Sequence, residues 1–195
     1  MLPSEPTTTG LSFKVEDWAA LPDEVRGELV NGSVEEEEVP DFVHEVVVIW
    51  FASMLRAWIA PRGGLVGGSE VKFGLGPKTG RKPDVSMYLP GSPKPPRRGP
   101  VRVPPDLMIE VISPSPRDVR RDRIAKANEY AAFGVKHYWL VDPDARTLEC
   151  FTLGEGGNYV RVFAASSGQV EVPGFEGLVL ELDELWAETE RLGAE

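Results

Sequence analysis

The sequence predicts a single α/β domain built around a mixed β-sheet, and three observations support this prediction. A length of 195 residues suits one domain with a sizeable core. Apolar residues recur at helical spacing in two long segments and cluster in short strand-like runs between them. From residue 41 the order is helix, three strands, helix, strand, and a helix between two strands usually marks a parallel crossover.

The N-terminal region is predicted to combine a tail with a hairpin. Residues 1–10 are polar, rich in Pro and Thr, and lack the apolar segment of a signal peptide. We therefore expect a flexible tail over 1–10 and one domain over 11–195. Asn31-Gly32 between apolar residues favours a type I′ turn. The predicted elements are a short helix at Val15–Leu21 and paired strands at Arg26–Val30 and Ser33–Val39.

The rest of the chain is predicted to alternate between helices and strands. Asp41 can cap a helix that ends near Ala60, because Pro61 and a Gly-Gly pair follow. A second amphipathic helix, Arg117–Phe133, is closed by Gly134. Strands are predicted at Leu65–Phe73, Pro83–Leu89, Asp106–Ser113, Lys136–Val141, Arg146–Leu153 and Tyr159–Ala164. The Pro- and Arg-rich segment Gly91–Pro105 is predicted to be an exposed loop, and a last helix is predicted from Asp183 to Arg191.

Composition favours a cytoplasmic protein that does not enter a membrane. The single cysteine, Cys150, cannot form an internal disulfide, which indicates a reducing compartment. It lies in a predicted strand without a histidine partner, which is typical of a buried apolar residue rather than a nucleophile. No apolar run in the sequence approaches the ~20 residues needed to span a bilayer.

Charge is unevenly distributed along the chain. The net charge of −10, taken alone, argues against nonspecific binding of nucleic acids. Residues 94–126, however, hold nine basic and four acidic residues, so this segment carries a charge of +5. The segment either forms a basic patch for an anionic partner or balances acidic neighbours.

Two strand carboxylates are the strongest candidates for chemistry. Pro83-Asp84 opens one predicted strand, and Glu110 lies within the apolar run of another. A glutamate in such a run is costly to bury unless it is paired or bound to a cation. If the two strands are neighbours, Asp84 and Glu110 could face one pocket and suit Mg²⁺, which prefers oxygen ligands. The alternative is a structural salt bridge between Glu110 and a nearby arginine.

Three further polar residues have both a functional and a structural interpretation. Asp122, Lys126 and Tyr130 share one helical face, so Lys126 could reach the carboxylates, or it could pair with Asp122 at the surface. Glu28 is either a third acid that points inward or a solvent-facing hairpin residue. His44, among apolar residues of the first long helix, is interpreted as a structural histidine with satisfied hydrogen bonds.

Several short motifs occur in a fixed order along the chain. They are Gly27-Glu28-Leu-Val-Asn-Gly32, His44, Pro83-Asp84-Val, Asp106-Leu-Met-Ile-Glu110-Val-Ile-Ser113-Pro-Ser115, Asp122-x3-Lys126-x3-Tyr130-x3-Gly134-Val and Tyr138-Trp139-Leu-Val-Asp142-Pro143. By their order and spacing, these motifs together resemble those of the Uma-two family of restriction-endonuclease-like proteins, within the PD-(D/E)XK nuclease superfamily. The resemblance covers about residues 13 to 165.

The resemblance implies a restriction-endonuclease-like core of helix, three strands, helix and strand, and it implies roles for particular residues. Asp84 and Glu110 would be the metal ligands, and Glu28 an accessory acid at the same site. This sequence departs from the motif at Ile112, where the motif has a lysine. The resemblance implies that the helix lysine, Lys126, takes over that role.

The resulting hypothesis is a Mg²⁺- or Mn²⁺-dependent endonuclease that hydrolyses DNA. Asp84, Glu110 and the Val111 carbonyl would hold the metal, and Lys126 would orient water or stabilise charge on the phosphate. Arg97, Arg98 and Arg102 on the predicted loop would contact the phosphate backbone. A homodimer is expected by analogy with the fold. The alternative is a catalytically inactive nuclease-like fold that binds protein or nucleic acid, which the acidic charge and Ile112 favour.

Overall fold

A mixed six-stranded sheet lies at the centre of the protein, with its helices packed against it. The computed structural model describes residues 12–22, 25–36, 39–113 and 120–193, so the predicted tail over 1–10 lies outside the described residues. The helices are α1 (Val15–Ala19), α2 (Phe42–Ile59), α3 (Ala127–Phe133) and α4 (Leu182–Thr189), with a 3₁₀ turn at Ala60–Arg62 and a π-helical segment at Arg121–Lys126 that leads into α3.

The strands form three sheets. The central sheet has the order β10-β9-β8-β7-β6-β3, a second sheet has the order β2-β1-β5-β4, and β11 pairs with β12. The strands are β1 (Glu28–Val30), β2 (Ser33–Glu35), β3 (Leu65–Gly67), β4 (Phe73–Gly76), β5 (Thr79–Arg81), β6 (Val85–Tyr88), β7 (Leu107–Val111), β8 (His137–Asp142), β9 (Thr147–Leu153), β10 (Tyr159–Ala165), β11 (Gln169–Glu171) and β12 (Val179–Glu181).

The predicted crossover is confirmed. Strands β7 and β8 are parallel, with Glu110 opposite Leu140, and α3 lies between them in the chain. The other neighbours in the central sheet pair antiparallel. The predicted α/β core of helix, three strands, helix and strand is therefore present as α2, β3-β6-β7, α3 and β8.

The predicted hairpin is also confirmed. Asn31 and Gly32 have φ values of 50° and 85°, which is the left-handed backbone that a type I′ turn requires. The paired strands are shorter than predicted, because β1 begins at Glu28 and β2 ends at Glu35. The hairpin packs beside α1, where Val15, Trp18 and Leu29 form a small buried cluster.

One predicted strand was wrong in extent. Leu65–Phe73 is divided between β3 in the central sheet and β4 in the second sheet, with Gly67-Gly68 at the break. Strand β5 was not predicted, although Pro77-Lys78 forms the turn that joins it to β4. Because glycine weakens the interior of a strand, Gly67-Gly68 is the physical reason for the break between β3 and β4.

The two faces of β7 bury different kinds of side chain. Leu107, Ile109 and Val111 point into an apolar core with the inner face of α2. Met108 and Ile112 point to the other face, where they pack with aromatic residues of α3 and β8. Glu110 lies on this second face by strand alternation and is buried there.

Helix α2 forms a longer apolar segment than we expected from the sequence. With its 3₁₀ extension it spans Phe42–Arg62, which is long and apolar enough to cross a membrane by length and composition. Its inner side chains, including Val47, Phe51 and Leu55, are buried in the main core. A core helix passes the same length and composition test, so this feature is weak support for a membrane span.

The last two helices also differ from prediction at their ends. Helix α4 spans Leu182–Thr189 rather than Asp183–Arg191. Of the predicted helix Arg117–Phe133, residues 117–119 are outside the described ranges. The segment Arg121–Lys126 is π-helical and leads into α3. It ends at Gly134 with φ of 95°, as the glycine predicted.

Candidate active site

A cavity of about 680 Å³ opens at the ends of β6 and β7 and contains both predicted carboxylates. Asp84, Glu110 and Val111 line it together with residues from α2, the hairpin region and the π-helical segment. Apart from His44, the cavity wall contains five basic and five acidic side chains. The basic residues are Arg26, Lys72, Lys82, Arg121 and Lys126, and the acidic residues are Glu45, Glu70, Asp84, Glu110 and Asp122.

Strand pairing brings Asp84 and Glu110 together. Val85 pairs with Ile109 in the antiparallel register of β6 and β7, so Asp84, one residue earlier, lies across from Glu110. The Val111 backbone N–H donates to Oδ2 of Asp84 at 2.7 Å. The prediction that these two carboxylates lie on adjacent strands and face one pocket agrees with this geometry.

Both oxygens of Glu110 have buried partners from the helix. Nζ of Lys126 lies 2.8 Å from Oε2, and the Tyr130 hydroxyl donates to Oε1. Lys126 and Tyr130 are four residues apart and therefore lie on one helical face. The arginine salt bridge considered for Glu110 is not seen among the described residues, since its partner is Lys126.

Lys126 lies among three carboxylates rather than at the surface. Beyond Glu110, its Nζ is 3.5 Å from Oδ1 of Asp122 and 3.6 Å from Oε1 of Glu28. Asp122 and Lys126 are 1% and 2% exposed, so the alternative of a surface pair does not hold and the lysine reaches the carboxylates. The physical reason is the π-helical turn, which directs both side chains to the sheet while the Tyr138 hydroxyl donates to the Asp122 carbonyl.

Glu28 is buried, so of its two interpretations the acid that points inward agrees with the structure and the solvent-facing hairpin residue does not. Nη1 of Arg81 lies 2.8 Å from its Oε2, and the Lys82 backbone N–H donates to its Oε1 at 2.8 Å. Arg81 also makes a two-point contact with Glu129 at 2.6 and 2.9 Å. Arg81 thus links the second sheet to α3 and fixes Glu28 near Lys126.

His44 lies at the site rather than in an ordinary core position. Its Nε2 is 3.3 Å from Oδ2 of Asp84, and both residues line the cavity. Its Nδ1 is buried and has no hydrogen-bond partner among the described residues. The prediction of a satisfied structural histidine was therefore wrong.

Burial and neighbouring charge set the electrostatics of these groups. Burial raises the pKa of the Glu110 carboxyl well above its usual range, and three other carboxylates add to this effect while Lys126 opposes it. Burial alone would lower the pKa of Lys126, but the carboxylates around it outweigh burial and raise that pKa. Lys126 is therefore an ammonium at neutral pH, a hydrogen-bond donor and not a base.

The oxygen atoms of Asp84 and Glu110 are of the chemical type that binds a hard divalent cation such as Mg²⁺. In the described part of the chain, no group of three or more His, Cys, Asp or Glu side chains is arranged to hold a metal ion. Mg²⁺, however, is usually bound by one or two carboxylates and keeps several waters. Asp84 and Glu110, with the Val111 backbone beside them, supply oxygen ligands at the wall of a cavity with room for water.

The three predicted phosphate-binding arginines do not line this cavity. Arg97 and Arg98 are exposed in the loop that follows β6, whereas Asp84 precedes β6. Arg102 pairs with Glu16 of α1. Their contact with nucleic acid stays a prediction, and the basic groups that do line the cavity include Arg26, Lys72 and Lys82.

Sequence reasoning missed four contributors to the site: His44, Arg81, Tyr130 and Glu129. Tyr130 had a usable signal, because it shares the helical face of Lys126. Arg81 and Glu129 had none, because their pairing joins residues 48 positions apart.

Comparisons with known proteins agree with this architecture. A crystal structure titled as "a putative nuclease belonging to DUF820 from Anabaena variabilis" is similar, with a TM-score of 0.69, 21% identity, and coverage of 91% of this chain and 99% of that one. At this identity the likeness shows the fold. No curated protein sequence matched the chain. The model of the Uma2 family, described as "Putative restriction endonuclease", matches residues 14–183, and the chain therefore belongs to the Uma2 family.

Proposed function

We propose that the protein is a Mg²⁺- or Mn²⁺-dependent endonuclease that hydrolyses phosphodiester bonds of DNA. The observation that carries this proposal is the pair of opposed carboxylates, Asp84 and Glu110, in one cavity with a buried lysine on Glu110. The description of the Uma2 family supports a nuclease.

Asp84 and Glu110, with the Val111 carbonyl, would hold the metal ion. When bound, such an ion supplies a more acidic water and a positive charge beside the scissile phosphate. Asp84 is already oriented by the Val111 N–H, so one of its oxygens is fixed before any ligand arrives. Such pre-organisation lowers the cost of reaching the reactive geometry.

Lys126 would act on the phosphate or on the attacking water as a hydrogen-bond donor. Its raised pKa keeps it charged, and Glu28 and Asp122 hold its ammonium group close to Glu110. A fixed positive charge in a buried site stabilises developing negative charge more strongly than the same charge in water. The role that the motif gives to a lysine at the position of Ile112 would therefore fall to Lys126.

Glu28 would act through Lys126 rather than as a metal ligand. It does not line the cavity, and its two oxygens contact Arg81, the Lys82 N–H and Lys126. Basic groups line the cavity wall, Arg26 and Lys72 among them, and would contact phosphates that flank the scissile bond.

The test is cleavage of supercoiled plasmid and single-stranded DNA by the purified protein with Mg²⁺ or Mn²⁺. Asp84→Ala and Glu110→Ala should each lower the rate by at least about 100-fold. Asp106→Asn is the matched control, because Asp106 lies just before β7 and does not line the cavity. Unchanged cleavage by Asp84→Ala would show that the mechanism is wrong.

One observation favours a second function, a nuclease-like fold that binds partners without catalysis. Both oxygens of Glu110 are already engaged by Lys126 and Tyr130, so a metal ion must compete with an ammonium group for this carboxylate. Calorimetry separates the two functions. Uptake of Mn²⁺ that is lost in Glu110→Ala supports the endonuclease, and no uptake by the wild type supports the binding protein.

A further inference from the structure

The contact between His44 and Asp84 carries an inference that rests on the proposed function and extends it. Asp84 uses one oxygen, Oδ2, for two neighbours: the Val111 N–H at 2.7 Å and Nε2 of His44 at 3.3 Å. A carboxylate oxygen accepts hydrogen bonds and cannot donate them. The imidazole nitrogen that faces Oδ2 must therefore carry a proton if the contact is favourable.

We propose that His44 is a positioning residue for Asp84. Its Nε2–H and the Val111 N–H together hold Oδ2, so the carboxylate cannot rotate freely and Oδ1 remains the oxygen that neither donor engages. The metal ion of the proposed nuclease then meets a ligand of fixed orientation. Partners that orient a ligand in this way contribute strongly to metal affinity.

The position of His44 in α2 supports this role. Asp41 caps the helix by accepting from the His44 backbone N–H at 2.8 Å, so the residue lies in the first helical turn with its backbone held. The side chain is only 10% exposed and reaches the start of β6. Helix cap and strand register together fix the distance between the two side chains.

The unsatisfied nitrogen of His44 argues against a purely structural role. Its Nδ1 has no hydrogen-bond partner among the described residues, and Oε1 of Glu45 is 3.7 Å away, beyond hydrogen-bonding distance. A buried polar atom without a partner costs free energy, and an apolar residue at this place would avoid that cost. The directed contact of the ring is the one to Asp84.

The test compares two substitutions of His44, Gln and Asn, whose side-chain amides differ in length. In His44→Gln the side-chain NH₂ lies near the place of Nε2, whereas in His44→Asn it lies near the place of Nδ1. We expect His44→Asn and His44→Ala to weaken Mn²⁺ binding by about 10- to 100-fold in calorimetry. His44→Gln should stay close to the wild-type affinity. His137→Asn is the matched control, because His137 is the second histidine of the chain and does not line the cavity.

A measurement without metal tests the hydrogen bond itself. In ¹H–¹⁵N spectra of the two histidine rings, His44 should be protonated at Nε2, and this signal should shift in Asp84→Ala while that of His137 does not. A His44 ring protonated only at Nδ1, or a signal unaffected by Asp84→Ala, would overturn the inference.

The outcomes separate this inference from the proposed function. If the wild type binds Mn²⁺ and His44→Ala binds it equally well, His44 does not position Asp84 and the nuclease proposal stands. If His44→Gln is as weak as His44→Asn, the contact is one of packing, and the inference fails. If the wild type takes up no Mn²⁺, the metal step of the proposed function fails, and the role of His44 toward the metal fails with it.

Discussion

Two carboxylate–lysine pairs lie near opposite ends of β7. Their nitrogen–oxygen distances are similar, but the exposure of their lysines and the pKa shifts of their carboxyl groups differ. Asp106, just before β7, lies 2.9 Å from Nζ of Lys136, and Glu110, within β7, lies 2.8 Å from Nζ of Lys126. The Lys136 side chain is 65% exposed, whereas that of Lys126 is 3% exposed. The lysine of the first pair thus lies mostly in water while its carboxylate is buried, whereas both members of the second pair lie in the protein interior.

The pKa values of the two carboxyl groups shift in opposite directions. For Asp106, burial would raise the pKa, but hydrogen bonds from Ser92, the Leu89 N–H and Lys136 outweigh it and lower the pKa. For Glu110, burial and neighbouring carboxylates prevail over Lys126, and the pKa rises. A short ion pair alone therefore does not determine the direction in which the pKa of a carboxyl group shifts, whereas burial beside like charges raises that pKa.

The largest expected difference between the two pairs concerns their lysines. Lys126→Met would leave Glu110, Glu28 and Asp122 buried without their shared cation. Removal of one partner of a buried ion pair costs about 3–5 kcal/mol, so we expect a loss of that size in the free energy of unfolding. Urea unfolding followed by circular dichroism at pH 7 measures it. A loss below about 1 kcal/mol, as for surface pairs, would contradict the importance of Lys126 as the shared cation.

An intermediate effect is expected from Asp106→Asn, and it depends on pH. Because the folded pKa of Asp106 lies below its unfolded value, its stabilising contribution is present above the unfolded pKa and is lost as pH falls through the folded pKa. Asparagine can still accept from the Leu89 N–H, so we expect a loss of only about 1 kcal/mol at pH 7.

The same variant should lose less stability than the wild type on acidification. Urea unfolding at pH 7, 5 and 3 compares the two proteins, and their difference should shrink toward pH 3. Two parallel profiles would show that the charge of Asp106 does not stabilise the fold.

The smallest effect is expected from Lys136→Met, the same substitution at the pair whose lysine is exposed. Ion pairs screened by water are typically worth about 0.2–1 kcal/mol, and the Lys136 side chain lies mostly in water. Without Lys136, Asp106 still accepts hydrogen bonds from Ser92 and the Leu89 N–H. Thermal unfolding of Lys136→Met beside Lys126→Met gives the comparison directly. Equal losses in the two variants would refute the distinction between the pairs.

Sequence reasoning predicted the elements whose signals are local. The Asn31-Gly32 turn, the helix capped by Asp41 and the β7–β8 crossover follow from turn chemistry, capping and element order, and all are present. The approach of Asp84 to Glu110 followed from their places in neighbouring strands. These features depend on a few consecutive residues or on chain order, which a sequence displays.

The remainder of the site depends on packing between distant segments. Glu28, Arg81 and Glu129 join a hairpin, the second sheet and α3, and each alone has the pattern of a surface residue. Glu28 and Arg81 can be buried because each compensates the charge of the other, and the partly exposed Glu129 is a second partner of Arg81. His44 was likewise interpreted as a structural histidine with satisfied hydrogen bonds, because neither segment alone shows that the start of β6 lies next to the first turn of α2.

The π-helical turn at Arg121–Lys126 also determines how this chain can tolerate changes in length. Such a turn holds i→i+5 hydrogen bonds and thus accommodates one residue more than an α-helical turn would. Deleting Ala125 would allow the segment to rewind as an α-helix, in which Asp122 stands three positions before Lys126 instead of four. Residues three apart still share a helical face, so this single deletion should leave the lysine beside the acids that hold it.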